Sequence, residues 1–507
     1  MKNNTFFLCL LVAMVLANCS PKVGDQVQKK AEEKAATVMV GKEDFRKQVP
    51  SAGPPPKIQI GSSEQFELDN GLKVILVENH KLPRVSYRLF VNTPDIMQNE
   101  KAGYIDMAGE LLNKGTANRK KAEIDEAIDF MGASLNTTAS GIFASSLTKH
   151  TENLLEIMSD VLLNPSFPES EFAKAKKQTL SNLAQSKEDP SEVSRSVSNV
   201  LRYGKNHPYG EIMTEATIEN ITREDCKDYY ETFFKPNISY LVVVGDVDMA
   251  KAKPMIEKYF SSWKSSNNIP KVDFPTPQAP ENTTVDFINK TGAVQSVISV
   301  TYPVELKPGH PDVIKSRVMN TMLGGFFQSR LNQNLRETNA YTYGAGSRLS
   351  SDEKVGSFRA GASVRNEVTD SSIMELVNEL NRIRDEQIDQ ADLDMVKNVI
   401  AGSFARSLEQ PETVANFALN TARYGLPADY YTTYLQKLDQ VSLNDVQMMA
   451  QKYIRPANAH IVVVGNKDEV AEKLGKFTAS GKVDFYDPYG NEITSEIPIP
   501  DGVTAKY

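Results

Sequence analysis

Few residues in this sequence could bind a catalytic metal or act as a nucleophile. Its five histidines, His80, His150, His207, His310 and His460, include no pair at the i, i+4 spacing that places two imidazoles on one helix face. No Gly-x-Ser-x-Gly elbow and no phosphate-cradling glycine loop occurs. The most informative stretch is AGYIDMAGELLNKGT. A helix expected from Ala102 to Asn113 puts Tyr104, Met107, Ala108, Leu111 and Leu112 on an apolar stripe, with Asp106, Gly109 and Glu110 on another face. Two carboxylates so placed could hold a hard cation weakly through oxygen, but without imidazole they lack the donors of a catalytic zinc. An acidic pair at helical spacing otherwise reads as a solvated face.

The elements that must position these residues come in two sets. The 507-residue length suggests two or three domains, and an internal repeat reduces that to two. Ile221-Thr222, Asp225, Pro236-Asn237 and Val242 to Gly245 recur 220 residues later as Val441-Ser442, Asp445, Pro456-Ala457 and Val462 to Gly465. Lys176, Ser186, Pro190, Val193 and Arg202-Tyr203-Gly204 recur at an offset of 221 as Lys397, Ser407, Pro411, Val414 and Arg423-Tyr424-Gly425. Strand-like runs such as VISVTYPV and LVVVG alternate with helix-like runs such as ENLLEIMSDVLL, so each half is expected to be α+β, a mixed sheet with helices on one face. Asp69-Asn70-Gly71 marks a first hairpin, and Pro270, Pro275, Pro277 and Pro280 mark a mid-chain linker. The expected boundaries are 1–18 signal peptide, 19–60 tether, 61–268 first domain, 269–284 linker and 285–500 second domain.

AGYIDMAGELLNKGT resembles the M16 family of peptidases (insulinase and mitochondrial-processing-peptidase-like), whose active members carry His-x-x-Glu-His before the Lys-Gly-Thr matched here by Lys114-Gly115-Thr116. LLNPSFPESEF ending at Phe172, the duplicated domain, and FFQSRLNQNLRETNAYTYG in the second half support the resemblance, which covers about residues 60 to 500. It implies a clamshell of two related domains. Matched position by position, the first zinc histidine is Asp106, the general base is Gly109 and the second histidine is Glu110, while the downstream glutamate falls near Asn182, judged from the following Glu188-Asp189-Pro190. All four zinc-site positions are changed, so no catalytic residue and no metal ligand is expected. In the second half, Arg336 and Tyr343 match the family's Arg/Tyr pair, which the resemblance implies holds the substrate backbone, and Gly324-Gly325 match its glycine-rich loop at the substrate entrance. Some family members pair a zinc-bearing chain with a companion that carries Arg and Tyr.

The sequence therefore resembles that companion: a silent subunit that binds peptide in the inter-domain crevice for a zinc-bearing M16 partner, with zinc expected only in the partner. Two other readings are a stand-alone noncanonical metallopeptidase using Asp106 and Glu110, and a binding or assembly lipoprotein with no role in proteolysis. With 57 Lys+Arg against 65 Asp+Glu, the net charge of −8 offers no basic excess for nucleic acid. Lys2 and the apolar run from Phe6 to Leu16 read as a secretory signal. Leu16-Ala17-Asn18-Cys19 resembles a bacterial lipobox, although Asn18 departs from the usual small residue; Cys19 would carry lipid. The expected location is the cell envelope, membrane-attached through that lipid and facing the periplasm from the outer membrane. Cys226 is then the single remaining thiol and is expected to pack inside a helix.

Overall fold

The computed structural model describes residues 60–493. The signal peptide, Cys19 and all but the last residue of the expected tether lie outside them. Both halves of the repeat fall in one compact unit.

The first sheet contains β1 (Glu64–Glu67), β2 (Lys73–Glu78), β3 (Arg84–Val91), β4 (Ser134–Thr138), β5 (Gly141–Leu147) and β6 (Ser239–Gly245) in the order β1-β2-β6-β3-β5-β4. The second contains β7 (Thr284–Asn289), β8 (Gln295–Val304), β9 (Thr342–Ser350), β10 (Gly356–Arg365), β11 (His460–Gly465), β12 (Asp484–Tyr486) and β13 (Glu492–Ile493) in the order β13-β12-β7-β11-β8-β10-β9. The topology repeats: β6 runs parallel to β2 and antiparallel to β3, as β11 does to β7 and β8. The Asp69-Asn70-Gly71 hairpin forms as expected, with Gly71 at φ +87° and its N–H donating to Leu68 O across the turn.

The repeated residues have repeated jobs. Thr222 caps a helix at Arg223–Phe233 in a reciprocal capping box with Asp225, and Ser442 does the same with Asp445 at Leu443–Tyr453. Lys101 reaches Asp225 and Lys315 reaches Asp445, each at 2.6 Å. Lys176 and Lys397 each donate to a backbone carbonyl, of Glu219 and Asp439, in the last turn of the preceding helix.

The main helical layer lies on one face of each sheet, over cores that include Tyr87, Leu89, Met107 and Leu111 in the first half and Tyr302, Phe358, Leu376 and Val463 in the second. The opposite face is also occupied, and by the other half. Val193 and Val197 of the helix Pro190–Tyr203 pack on Ile288, Val462 and Val464 of the second sheet. Val414, Ala415, Ala418 and Leu419 of the helix Pro411–Tyr424 pack on Ile75, Val77, Val242 and Val244 of the first. This exchange refines the expectation of helices on one face. It also explains why β6 is buried at every position: with both faces covered, its valines need not alternate with polar residues.

Candidate functional site

The helix that carries the zinc-motif positions runs Tyr104–Leu111, shorter at each end than the sequence suggests, and buries Met107, Ala108, Gly109 and Leu111. Asp106 and Glu110 are exposed. Neighbouring protein nonetheless desolvates the Asp106 carboxyl enough to push its pKa up. Glu110 pairs with Lys114 one turn on, at 3.6 Å. Asn182 sits exposed on the neighbouring helix Glu169–Ser186, accepting from Gln178. Among the described residues no three His, Cys, Asp or Glu side chains gather where one ion could be held. Two hard oxygen donors and no imidazole do not fit the zinc that the motif implies.

Gly109 decides more than its lack of a carboxylate. A Cβ at this position would sit 2.1 Å from Ala139 N and 2.2 Å from Thr138 C, backbone atoms of the β4–β5 turn. The helix crosses that turn in direct backbone contact, and Tyr229 donates to Ala139 O at 2.9 Å to hold it there. At Gly109, the position expected from the sequence to match the general base, main chain occupies the space that a side chain would need.

In the second half, Arg336 lies in a wide helical turn, Gln333–Thr338, its guanidinium stacked 4.4 Å from the Phe327 ring centre and its Nε 3.4 Å from Glu337. Tyr343 stands 93% exposed. The cause is local: β9 pairs Ala345 with Ala362 and Thr342 with Val364, so Tyr343 and Gly344 together oppose Ser363 in a bulge that lifts the tyrosine off the sheet edge. Gly324 and Gly325 are not an open loop. They end a wide turn, Thr321–Gly325, laid against β9, and a Cβ on Gly324 would meet Ser347 N at 2.3 Å. Gly325 alone is exposed.

The two sheet edges next to these residues differ. The outer edge of β9 is taken up by the protein itself: Ala345 N–H donates to Asn332 and Ser347 O accepts from Asn320. The outer edge of β4 has no such partner among the described residues, and it ends at the turn under Gly109. Neither of two surface cavities touches the site residues. One, of about 210 Å³, is lined by His207, Phe274, Lys354 and neighbours; the other, of about 480 Å³, by Arg119, Asp160, Tyr259 and neighbours.

Two of the histidines are held in packing or hydrogen-bonded places. His460 Nδ1 lies 3.0 Å from Asp286, and His207 is buried among Tyr203, Tyr209 and Phe274, where desolvation lowers its pKa. Cys226 is fully buried in its helix and its thiol is pushed up to about 12 by burial.

Residues 73–208 match the sequence profile described as Insulinase (Peptidase family M16), and residues 220–400 match that of the Peptidase M16 inactive domain. The chain is 22% identical over 402 residues to the non-peptidase homolog YmxG of Helicobacter pylori, covering 78% of this chain and 92% of that one. It is 24% identical over 427 residues to the zinc protease PqqE of the same species, covering 79% and 92%. A solved M16 inactive domain from Pseudomonas fluorescens superposes with a TM-score of 0.72 at 21% identity, over 80% of this chain and 98% of that one.

Proposed function

Because the chain belongs to the M16 peptidase family, as a member without the zinc-binding motif, we propose that it works as a catalytically silent subunit that holds peptide for a separate zinc-bearing M16 chain. The observation that carries this reading is Gly109: the position matched to the family's general base has no side chain, and main chain fills the space that one would need. The second half supports the reading: Tyr343 stands exposed on its bulge, and the Arg336 guanidinium, paired only with Glu337, makes no side-chain hydrogen bond among the described residues.

In this reading the peptide enters the crevice and adds to the unpaired edge of β4, a mode in which main-chain hydrogen bonds supply affinity and alternate side chains supply selectivity. Arg336 and Tyr343 then hold peptide carbonyls near the partner's zinc. That Helicobacter pylori has both a non-peptidase homolog and a zinc protease similar to this chain favours a paired arrangement. The chain would be exported and held to the envelope through lipid on Cys19, which places the pair where peptides reach the periplasm. The test is a reconstituted pair: Arg336→Ala and Tyr343→Ala chains fold and associate as the parent does, and peptide turnover falls at least tenfold. Unchanged turnover with both variants would defeat the substrate-holding role.

A further inference from the structure

Arg202 ends the helix Pro190–Tyr203 and is only 3% exposed, yet its Nε and Nη1 have no hydrogen-bond partner. Its contacts are Asn199, one turn back on the same helix, and the Tyr203 ring, 4.7 Å from the guanidinium carbon. No carboxylate faces it among the described residues. Burial lowers its pKa to about 10, and the positive charge of nearby Arg359 adds to the effect. A buried guanidinium without a counter-charge is costly, and native proteins leave few such groups unexplained.

The internal repeat supplies the comparison. Arg423 holds the same place in the other half, at the end of the helix Pro411–Tyr424 and stacked 4.8 Å from the following tyrosine. Its Nε donates to Asn92 and its Nη2 to Glu353, each at 2.9 Å. One arginine of the pair has a carboxylate; the other has a second arginine.

Two more observations lie beside it. Arg359 on β10 and Arg348 on β9 are directly opposite in the strand register, so their Cβ atoms lie about 5 Å apart. Both are exposed, and neither makes an ion pair among the described residues of a chain whose net charge is −8. They alternate with Phe358, which enters the core, and so face the side of the sheet that Val193 and Val197 cover. The next pair on that face is Gly361 and Gly346, which raises no side chain between the arginines and solvent. Like charges directly opposite in a ladder repel, and this exposed pair, with the buried and unpaired Arg202 close enough to feel the charge of Arg359, is complementary to a multidentate oxyanion.

We propose that Arg202, Arg348 and Arg359 form an oxyanion-binding site, whose ligand is a carboxylate of an acidic peptide or a phosphate group. The site uses neither the zinc-motif positions nor Arg336, and it does not depend on a partner chain.

Calorimetric titration of the full chain at low ionic strength tests it with three probes: inorganic phosphate, N-acetyl-Ala-Glu-Glu with a free carboxy terminus, and N-acetyl-Ala-Gln-Gln-amide. Saturable binding of phosphate, the acidic peptide or both is expected, at least tenfold weaker in R348A/R359A, whose exposed positions leave the melting temperature unchanged. Binding of phosphate alone would assign the site to a free or ester phosphate, and binding of the acidic peptide would assign it to peptide recognition. Arg202→Met, which replaces an unpaired buried charge by an apolar chain, keeps or raises the melting temperature and loses the binding. The proposal fails if neither anion binds, if the amide peptide binds as tightly as the acidic one, or if R348A/R359A or Arg202→Met binds like the parent.

Discussion

Replacing Gly109 with alanine sets two physical effects against each other, and the sign of the result decides between them. In an ordinary helix interior Gly→Ala stabilises by roughly 0.5–1 kcal/mol, because alanine has less backbone entropy to lose. Here the new Cβ would lie 2.1 Å from Ala139 N and 2.2 Å from Thr138 C. Ordinary carbon contacts need about 3.5 Å, so helix and turn must separate by more than about 1 Å. That opens the packing of Met107 and Leu111 beneath the helix and pulls on the Tyr229–Ala139 hydrogen bond. Overpacking of this kind costs about 3 kcal/mol, more than the propensity gain. Urea denaturation of the parent and Gly109→Ala chains reads the difference from the midpoints at unchanged slope. A loss of about 2 kcal/mol or more is expected. An equal or higher midpoint would show that the position has room, and the argument that backbone has displaced the general base would be wrong. The same steric limit predicts that D106H/G109E/E110H/N182E, which rewrites all four zinc positions, gains no peptidase activity.

Other outcomes follow from the packing and the charges. Val197→Ala, at the centre of the helix that the first half lends to the second sheet, costs about 2 kcal/mol by urea titration; a change below about 0.5 kcal/mol would mean the two halves are not held by this contact. Asp160 is 6% exposed, and although burial alone would raise its pKa, hydrogen bonds from Thr116, Asn118, Asn164 and Arg119 outweigh it and hold the pKa low. A lowered folded pKa means its contribution is present above the unfolded value of about 3.9 and is lost as pH falls through the folded value. Asp160→Asn should therefore destabilise at pH 7 and flatten the stability curve below about pH 4; a parallel acid limb in parent and variant would contradict this. Cys226, buried with a raised thiol pKa, should resist maleimide in the native chain and react in urea, as read by mass mapping of its peptide.

Much of this architecture is written in local chemistry. Thr222 with Asp225 and Ser442 with Asp445 are capping boxes that a reader of the sequence sees as a repeat and the structure shows as two copies of one helix start. The loss of the zinc ligands is equally visible, since Asp106, Gly109, Glu110 and Asn182 need only be compared with the motif. What the sequence conceals is what lies across space. Val193 and Val197 look like any apolar stripe, and only the fold shows that they cover the other half's sheet. A signal was present: LVVVG at Leu241 to Gly245 has no polar alternation, which calls for burial on both faces. The displacement of Tyr343 by a bulge, the closed outer edge of β9 and the occupied space at Gly109 have no such signature, because each depends on the register and approach of segments distant in sequence. Arg202 and Arg423 read as equivalent in the repeat, and their difference appears only with Glu353 beside one and Arg359 near the other.

The central claim is that this chain supports peptide cleavage without performing it. The direct measurement is the hydrolysis of a fluorogenic peptide library by the purified chain, by a zinc-bearing M16 chain encoded in the same genome, and by the two together, each with and without chelator. The account predicts no turnover by this chain alone, and a mixture that is faster than the zinc-bearing chain by at least tenfold, chelator-sensitive and lost in R336A/Y343A. Chelator-sensitive turnover by this chain alone, or a mixture no faster than its zinc-bearing member, would contradict it.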